Sequence, residues 1–135
     1  MKYMLDTNIL IYFLKNQPAS VADRIDQLDV HDELVMSFIT YAELLKGVTG
    51  SLKKHQSSLQ LESLCKIVKV LYPDNALICQ YYATHFLHLK KAGKIIGGND
   101  LWIGCHALAE NAILVTHNTR EFSRIEGLPL EDWVN

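Results

Sequence analysis

Residues 2–15, KYMLDTNILIYFLK, hold the pattern on which the fold turns. KYMLD is a short apolar run ending in an acid and reads as a strand. NILIYFLK, residues 8–15, is apolar enough to extend that strand or to form a short buried helix. The capping residues Asp6, Thr7 and Asn8 between the two favour the helix. A strand, an acid and then a helix is how an α/β unit begins.

The same alternation continues outward. Pro18 leads into a helix over 19–29, where Val21, Ile25 and Leu28 recur at helical spacing. ELVMS (33–37) is a second strand, and a helix follows from Thr40 to about Gly50. A looser helix covers 51–65, and the β-branched KIVKVL (66–71) is a third strand. Pro73 opens a long helix over 74–92 that Gly93 ends. A Gly-Gly connection leads to a helix over 100–111, and AILVT (112–116) is the cleanest strand. A helical turn near 119–124 and an edge strand within 128–134 complete the reading. No hairpin signal separates two adjacent strands. The expectation is an α/β fold with a mostly parallel central sheet of four to five strands flanked by helices.

The 135 residues are expected to form one domain, 1–135. A chain of this size hides roughly two thirds of its unfolded surface without disulfide or metal staples. With 49% apolar and 21% charged residues it is not a disordered composition. No apolar run approaches the roughly 18 residues that span a bilayer, and the N-terminus lacks the features of a signal peptide. The expected location is the cytoplasm, with no membrane contact. The odd set Cys65, Cys79 and Cys105 has no CxxC spacing and is expected to serve as small core residues. A net charge of -2 excludes gross attraction to nucleic acid but leaves local patches. Between Lys46 and Lys69 there are five lysines and one acid, and Lys90, Lys91 and Lys94 form a second cluster. Each cluster by itself reads as a solvated helix face.

In open α/β sheets ligands bind beyond the carboxyl ends of the strands. Asp6 falls there after the first strand, Ser37, Thr40 and Glu43 after the second, and Thr116, His117, Asn118 and Glu121 after the fourth. Asp100 opens a helix after the Gly-Gly loop. Each acid has a local explanation. Asp6 caps a helix, Asp100 favours a helix dipole, and Thr40–Glu43 and Asn118–Glu121 have capping-box spacing. Together they point elsewhere. Converging carboxylates repel one another, and no Lys or Arg adjoins Asp6 or Asp100 in sequence. A divalent cation neutralises such a set, and all-oxygen ligands suit Mg²⁺ or Mn²⁺. The expected chemistry is metal-dependent phosphotransfer or hydrolysis.

Four ordered segments carry a resemblance: MLDTNILIY (4–12), SFITYAELLKG (37–47), IIGGNDLWIGCHAL (95–108), and ILVTHNTREFSRIEGL (113–128) followed by EDW. They resemble the PIN-domain ribonucleases, and more closely the VapC toxins of bacterial type II toxin–antitoxin modules. The resemblance covers nearly the whole chain. It implies a PIN-like three-layer fold and Mg²⁺- or Mn²⁺-dependent endonuclease activity on structured RNA. The implied substrate is tRNA, with the initiator tRNA anticodon region favoured. It also implies a homodimer and a cognate VapB antitoxin whose tail covers the site. By position, Asp6 and Asp100 match the principal metal ligands and Glu43 the second acid. Asn8 matches the asparagine that orders the site by hydrogen bonding, and Thr116 the hydroxyl residue after the fourth strand.

Asn118 departs from the pattern, since many PIN domains carry Asp there, and Glu121 one turn later is the alternative fourth carboxylate. On this reading Lys46, Lys53, Lys54, Lys90, Lys91 and Lys94 hold the RNA backbone. Tyr41 or Trp102 could stack on a base, although Trp102 is the better core residue. All six histidines are expected to be ordinary surface or satisfied residues. A phospho-receiver would need an Asp closing the third strand and a Lys after the last, and neither is present. The remaining alternatives are a PIN module that binds RNA or a partner without cutting, and a metal-free nuclease working through histidines.

Overall fold

The computed structural model describes residues 1–135. Five strands form one sheet: β1 (Lys2–Leu5), β2 (Glu33–Ser37), β3 (Lys69–Leu71), β4 (Ile113–Val115) and β5 (Leu130–Glu131). Seven helices connect them: α1 (Thr7–Lys15), α2 (Ala19–Asp26), α3 (Phe38–Thr49), α4 (Lys54–Ile67), α5 (Leu77–Lys91), α6 (Gly98–Ala109) and α7 (Thr119–Phe122). The strand order is β3-β2-β1-β4-β5, and every pairing is parallel. The chain builds outward from β1 to β3, crosses over, and builds outward again from β4. The switch point lies between the neighbours β1 and β4.

Strand alternation sorts the core into two faces. Met4, Val35 and Leu114 pack with Ile78 and Leu89 of α5, Leu101 and Cys105 of α6, and Phe122 of α7. Their neighbours Leu5, Met36 and Val115 point the other way, onto Ile9 and Leu10 of α1, Leu61 and Leu64 of α4, and Trp133. Each fully buried side chain of this size contributes about 1.5–3 kcal/mol. Two covered faces explain why the inner residues of β1, β2 and β4 form unbroken apolar runs, as parallel sheets require. Gly104 lets α6 approach the segment after α7: a Cβ there would stand 2.5 Å from Ile125 Cδ1.

Several boundaries differ from the sequence expectation. Helix α3 starts at Phe38 rather than Thr40, because Ser37 Oγ accepts from the Ile39 amide and caps it. Helix α4 runs on to Ile67, which shortens the edge strand β3 to three residues. An edge strand has one neighbour to pair with, so Lys66 and Ile67 gain more hydrogen bonds by continuing the helix. Residues 51–53 form a turn, and the tail strand shrinks to Leu130–Glu131 before Trp133 enters the core. Cys105 is buried as expected, but Cys79 is exposed on α5.

Candidate active site

Asp6 follows β1 and caps α1, its Oδ1 accepting from the Thr7 amide at 2.8 Å. Its Oδ2 accepts from Thr116 Oγ1, also at 2.8 Å. Thr116 follows β4, so this bond spans the switch point itself, where open sheets place their ligands. The Thr116 hydroxyl in turn accepts from the Asn118 amide at 3.0 Å. Asp6 is only 6% exposed, so both donors matter. Burial pushes its carboxyl up, the Thr116 and Thr7 donors oppose that, and Glu43 adds to it.

Glu43 comes from α3 and is half-buried. Its Oε1 accepts from Thr7 Oγ1 at 2.7 Å, and the same hydroxyl lies 3.3 Å from Thr40 Oγ1. The Thr40–Glu43 capping box is therefore not formed. Thr40 is buried inside the helix, and Glu43 is turned toward α1. Thr7 is the site residue that sequence reading missed. Its place between Asp6 and Asn8 was the available signal.

Asp100 lies in the first turn of α6. Its carboxylate makes no hydrogen bond or ion pair with the protein. Its pKa is pushed up from 3.8 to about 6, first by burial and then by Asp6, Glu121 and Glu43. Glu121 is held from α7, where Asn118 Nδ2 donates to its Oε2 at 3.2 Å. Asn118 therefore does not cap α7 through its side-chain oxygen, contrary to the capping-box expectation. Asn8 is exposed and makes no side-chain hydrogen bond. The ordering bonds around the acids come from Thr7 and Thr116.

The structure thus brings Asp6, Glu43, Asp100 and Glu121 into one electrostatic neighbourhood with no Lys or Arg paired to any of them. Their donors are oxygens only, which fits a hard divalent cation. No three acidic, histidine or cysteine side chains are arranged here to enclose an ion. The fit lies in donor chemistry and uncompensated charge rather than in a closed cage.

The six candidate lysines are all exposed and unpaired. Lys46 lies in the last turn of α3, Lys53 and Lys54 open α4, Lys90 and Lys91 end α5, and Lys94 lies in the connection to α6. Trp102 is half-buried and stacked on Tyr82 at 3.9 Å, and Tyr41 packs against the core. An apolar groove of about 230 Å³ between α1, α3 and α4 opens beside Thr7 and Glu43. It is flanked by a second groove lined by Phe13, Leu59 and Ile67. One histidine departs from expectation: His106 is wholly buried, and its Nε2 has no partner.

A parallel sheet with acids gathered at its switch point is the setting in which the chain's family becomes plain: it belongs to the PIN domain family, whose model matches residues 3–128. Ribonuclease VapC1 of Haemophilus influenzae strain R2866 is 56% identical over 133 residues, 98% of each chain. The tRNA(fMet)-specific endonuclease VapC of Shigella flexneri is 36% identical, again over 98% of each chain. The solved structure of VapBC-1 from nontypeable Haemophilus influenzae superposes with a TM-score of 0.93 at 55% identity, covering all of both chains. Within the PIN domains the chain falls among the VapC ribonucleases. No helix is long and apolar enough to cross a membrane.

Proposed function

We propose that the protein is the toxin of a VapBC module, an endoribonuclease that cuts structured RNA with Mg²⁺ or Mn²⁺. The observation that carries this is the state of Asp100, a carboxylate with no protein partner whose pKa is raised to about 6 by burial and three other acids. That arrangement costs stability in the metal-free protein and is relieved by a cation. Asp6 and Asp100 would hold it, with Glu121 as the further acid. Bound there, it would polarise a phosphoryl oxygen and favour hydroxide near neutral pH.

The chain's own groups supply the rest. Glu43 has one oxygen fixed by Thr7, which leaves Oε2 to take a proton from the attacking water. Water adds to phosphorus, the bond to the 3′ oxygen breaks, and that oxygen takes up a proton. The products are a 5′-phosphate and a 3′-hydroxyl. Thr116 keeps Asp6 oriented from across the sheet. Lys46, Lys53, Lys54, Lys90, Lys91 and Lys94 supply free cations for the RNA backbone.

The proposed substrate is tRNA, with the initiator tRNA anticodon region favoured; the name of the Shigella flexneri relative supports it. The proposed partner is a VapB-type antitoxin, supported by the VapBC-1 likeness and by the apolar groove that reaches Glu43. A homodimer is also proposed. The exposed Leu77, Phe86 and Leu87 of α5 supply apolar surface for it.

The test is cleavage of total tRNA by antitoxin-free protein with Mg²⁺, Mn²⁺ or EDTA, beside Asp6→Ala and Asp100→Ala. Discrete metal-dependent cuts with 5′-phosphate ends, lost in both variants, are expected. Folded wild type that cuts no structured RNA would instead favour a binding module. Cyclic phosphate ends would favour histidine chemistry.

A further inference from the structure

His106 has no part in the site as described, yet it is a costly residue to keep. It sits inside α6 with none of its surface exposed. Nδ1 lies 2.8 Å from Ser37 Oγ, and the ring packs edge-on against Phe38 at 5.7 Å. Ser37 Oγ already accepts from the Ile39 amide, so its own proton is free to be donated. When Ser37 donates, Nδ1 is the acceptor and the ring proton lies on Nε2, on the side of Glu110 Oε2. Nε2 has no hydrogen-bond partner, and Glu110 Oε2 is 3.8 Å away while its Oε1 pairs with Lys2. A buried donor left unmade is unfavourable, and an apolar side chain would fill the same space without it.

The position of the bond suggests why a histidine stands there. Ser37 marks the junction of β2 with α3, the helix that carries Glu43. His106 stands six residues after Asp100 on α6, about 9 Å along the axis of a stiff helix. It is the one side-chain hydrogen bond from α6 to that junction. Apolar packing holds helices together but resists sliding less directionally. Burial keeps the ring below the ordinary histidine range, with Glu110 opposing, so the neutral acceptor persists.

We propose that His106 is a positioning residue: its bond to Ser37 sets α6 on the β2–α3 junction and thereby fixes Asp100 relative to Glu43 and Asp6. The functional part of this rests on the metal-nuclease reading above. Two measurements keep the claims separate. The first is the ¹H–¹⁵N spectrum in EDTA. Ser37→Ala, which removes one oxygen and leaves the ring in place, shifts the amides of Asn99, Asp100 and Leu101, none of which hydrogen-bonds to Ser37.

The second is Mn²⁺ uptake, read from free Mn²⁺ by electron paramagnetic resonance, with kcat and KM on RNA that the wild type cuts. Ser37→Ala and His106→Leu weaken Mn²⁺ binding roughly threefold to tenfold, less than the roughly 10–100-fold that follows loss of a ligand's direct partner, because neither residue touches a ligand. They lower kcat with KM unchanged. His106→Asn, which returns a polar atom near Nδ1, recovers most of the loss. The double variant loses less than the sum of the two single losses, because both break the same bond. The lost Ser37 cap acts equally in both His106 backgrounds and cancels in that cycle.

Unmoved amides at 99–101 in Ser37→Ala, or additive losses in the double variant, overturn the proposal. Wild type that takes up no Mn²⁺ overturns the site reading instead, and the amide shifts then still decide whether the bond holds the Asp100 turn.

Discussion

Asp100→Asn is expected to stabilise the metal-free protein. The carboxylate is half-buried beside three other acids, and its pKa rises from 3.8 in the unfolded chain to about 6 in the fold. A gap of that size corresponds to roughly 3 kcal/mol between the protonation states. Water reaches part of the group, which reduces the realised penalty to about 1–2 kcal/mol. The sign follows from proton binding. Between the two pKa values the folded state holds the proton more tightly, so stability falls as pH rises through that window. The penalty is absent below the unfolded value and complete above about 6. Removing the charge should therefore raise the thermal midpoint in EDTA at pH 7.5 by about 3–8 °C. At pH 4.5 the gain should shrink to about a third of that, since the folded wild type is already protonated there.

Saturating Mn²⁺ at pH 7.5 should reverse the order, because a cation that binds only the folded state stabilises the wild type. Thermal melts of both proteins in EDTA and in Mn²⁺, at both pH values, make the comparison. An Asp100→Asn protein less stable than wild type in EDTA, or a gain equal at both pH values, would refute the crowded-carboxylate account.

Thr7→Val removes the 2.7 Å donor to Glu43 Oε1 and should lower kcat while costing only about 1 kcal/mol in urea unfolding. Glu121→Gln should reduce cleavage clearly, whereas Asn118→Ala, which removes only the amide that orients Glu121, should reduce it less. Equal activity of Glu121→Gln and wild type would remove Glu121 from the site. Gly104→Ala should destabilise by about 1–3 kcal/mol despite alanine's better helix propensity, because the new methyl meets Ile125 at 2.5 Å. A melt unchanged from wild type would show that Ile125 moves aside at no cost.

Much of this was legible in residues 2–15 and their echoes along the chain. The apolar run KYML followed by the capping Asp6 announces strand, acid and helix in order, and the structure places them at Lys2–Leu5, Asp6 and Thr7–Lys15. The same logic located β2, β4 and α6, because an element buried on two faces must be apolar almost throughout. Local rules failed where a tertiary contact outweighed them. The Thr40–Glu43 spacing read as a capping box, but Ser37 caps the helix and Glu43 turns to Thr7 thirty-six residues earlier in the chain. His106 looked like one more helical histidine, and only its burial against Ser37 and Phe38 distinguishes it.

Sequence by itself determined that this is an α/β chain with acids at strand ends and helix starts. Periodicity and caps are short-range properties, set by which faces of a few neighbouring residues are apolar. Tertiary structure decided the strand order β3-β2-β1-β4-β5, and with it that Thr116 meets Asp6 at the switch point. It also decided that Thr7 meets Glu43 and that Asp6, Glu121 and Glu43 add to the cost of ionising Asp100. Those pairings join residues up to 110 positions apart. Nothing in the local pattern fixes which strand lies beside which, because each parallel strand offers the same ladder of amides and carbonyls to any neighbour. Packing of the helices on the two faces makes that choice, and the site follows from it.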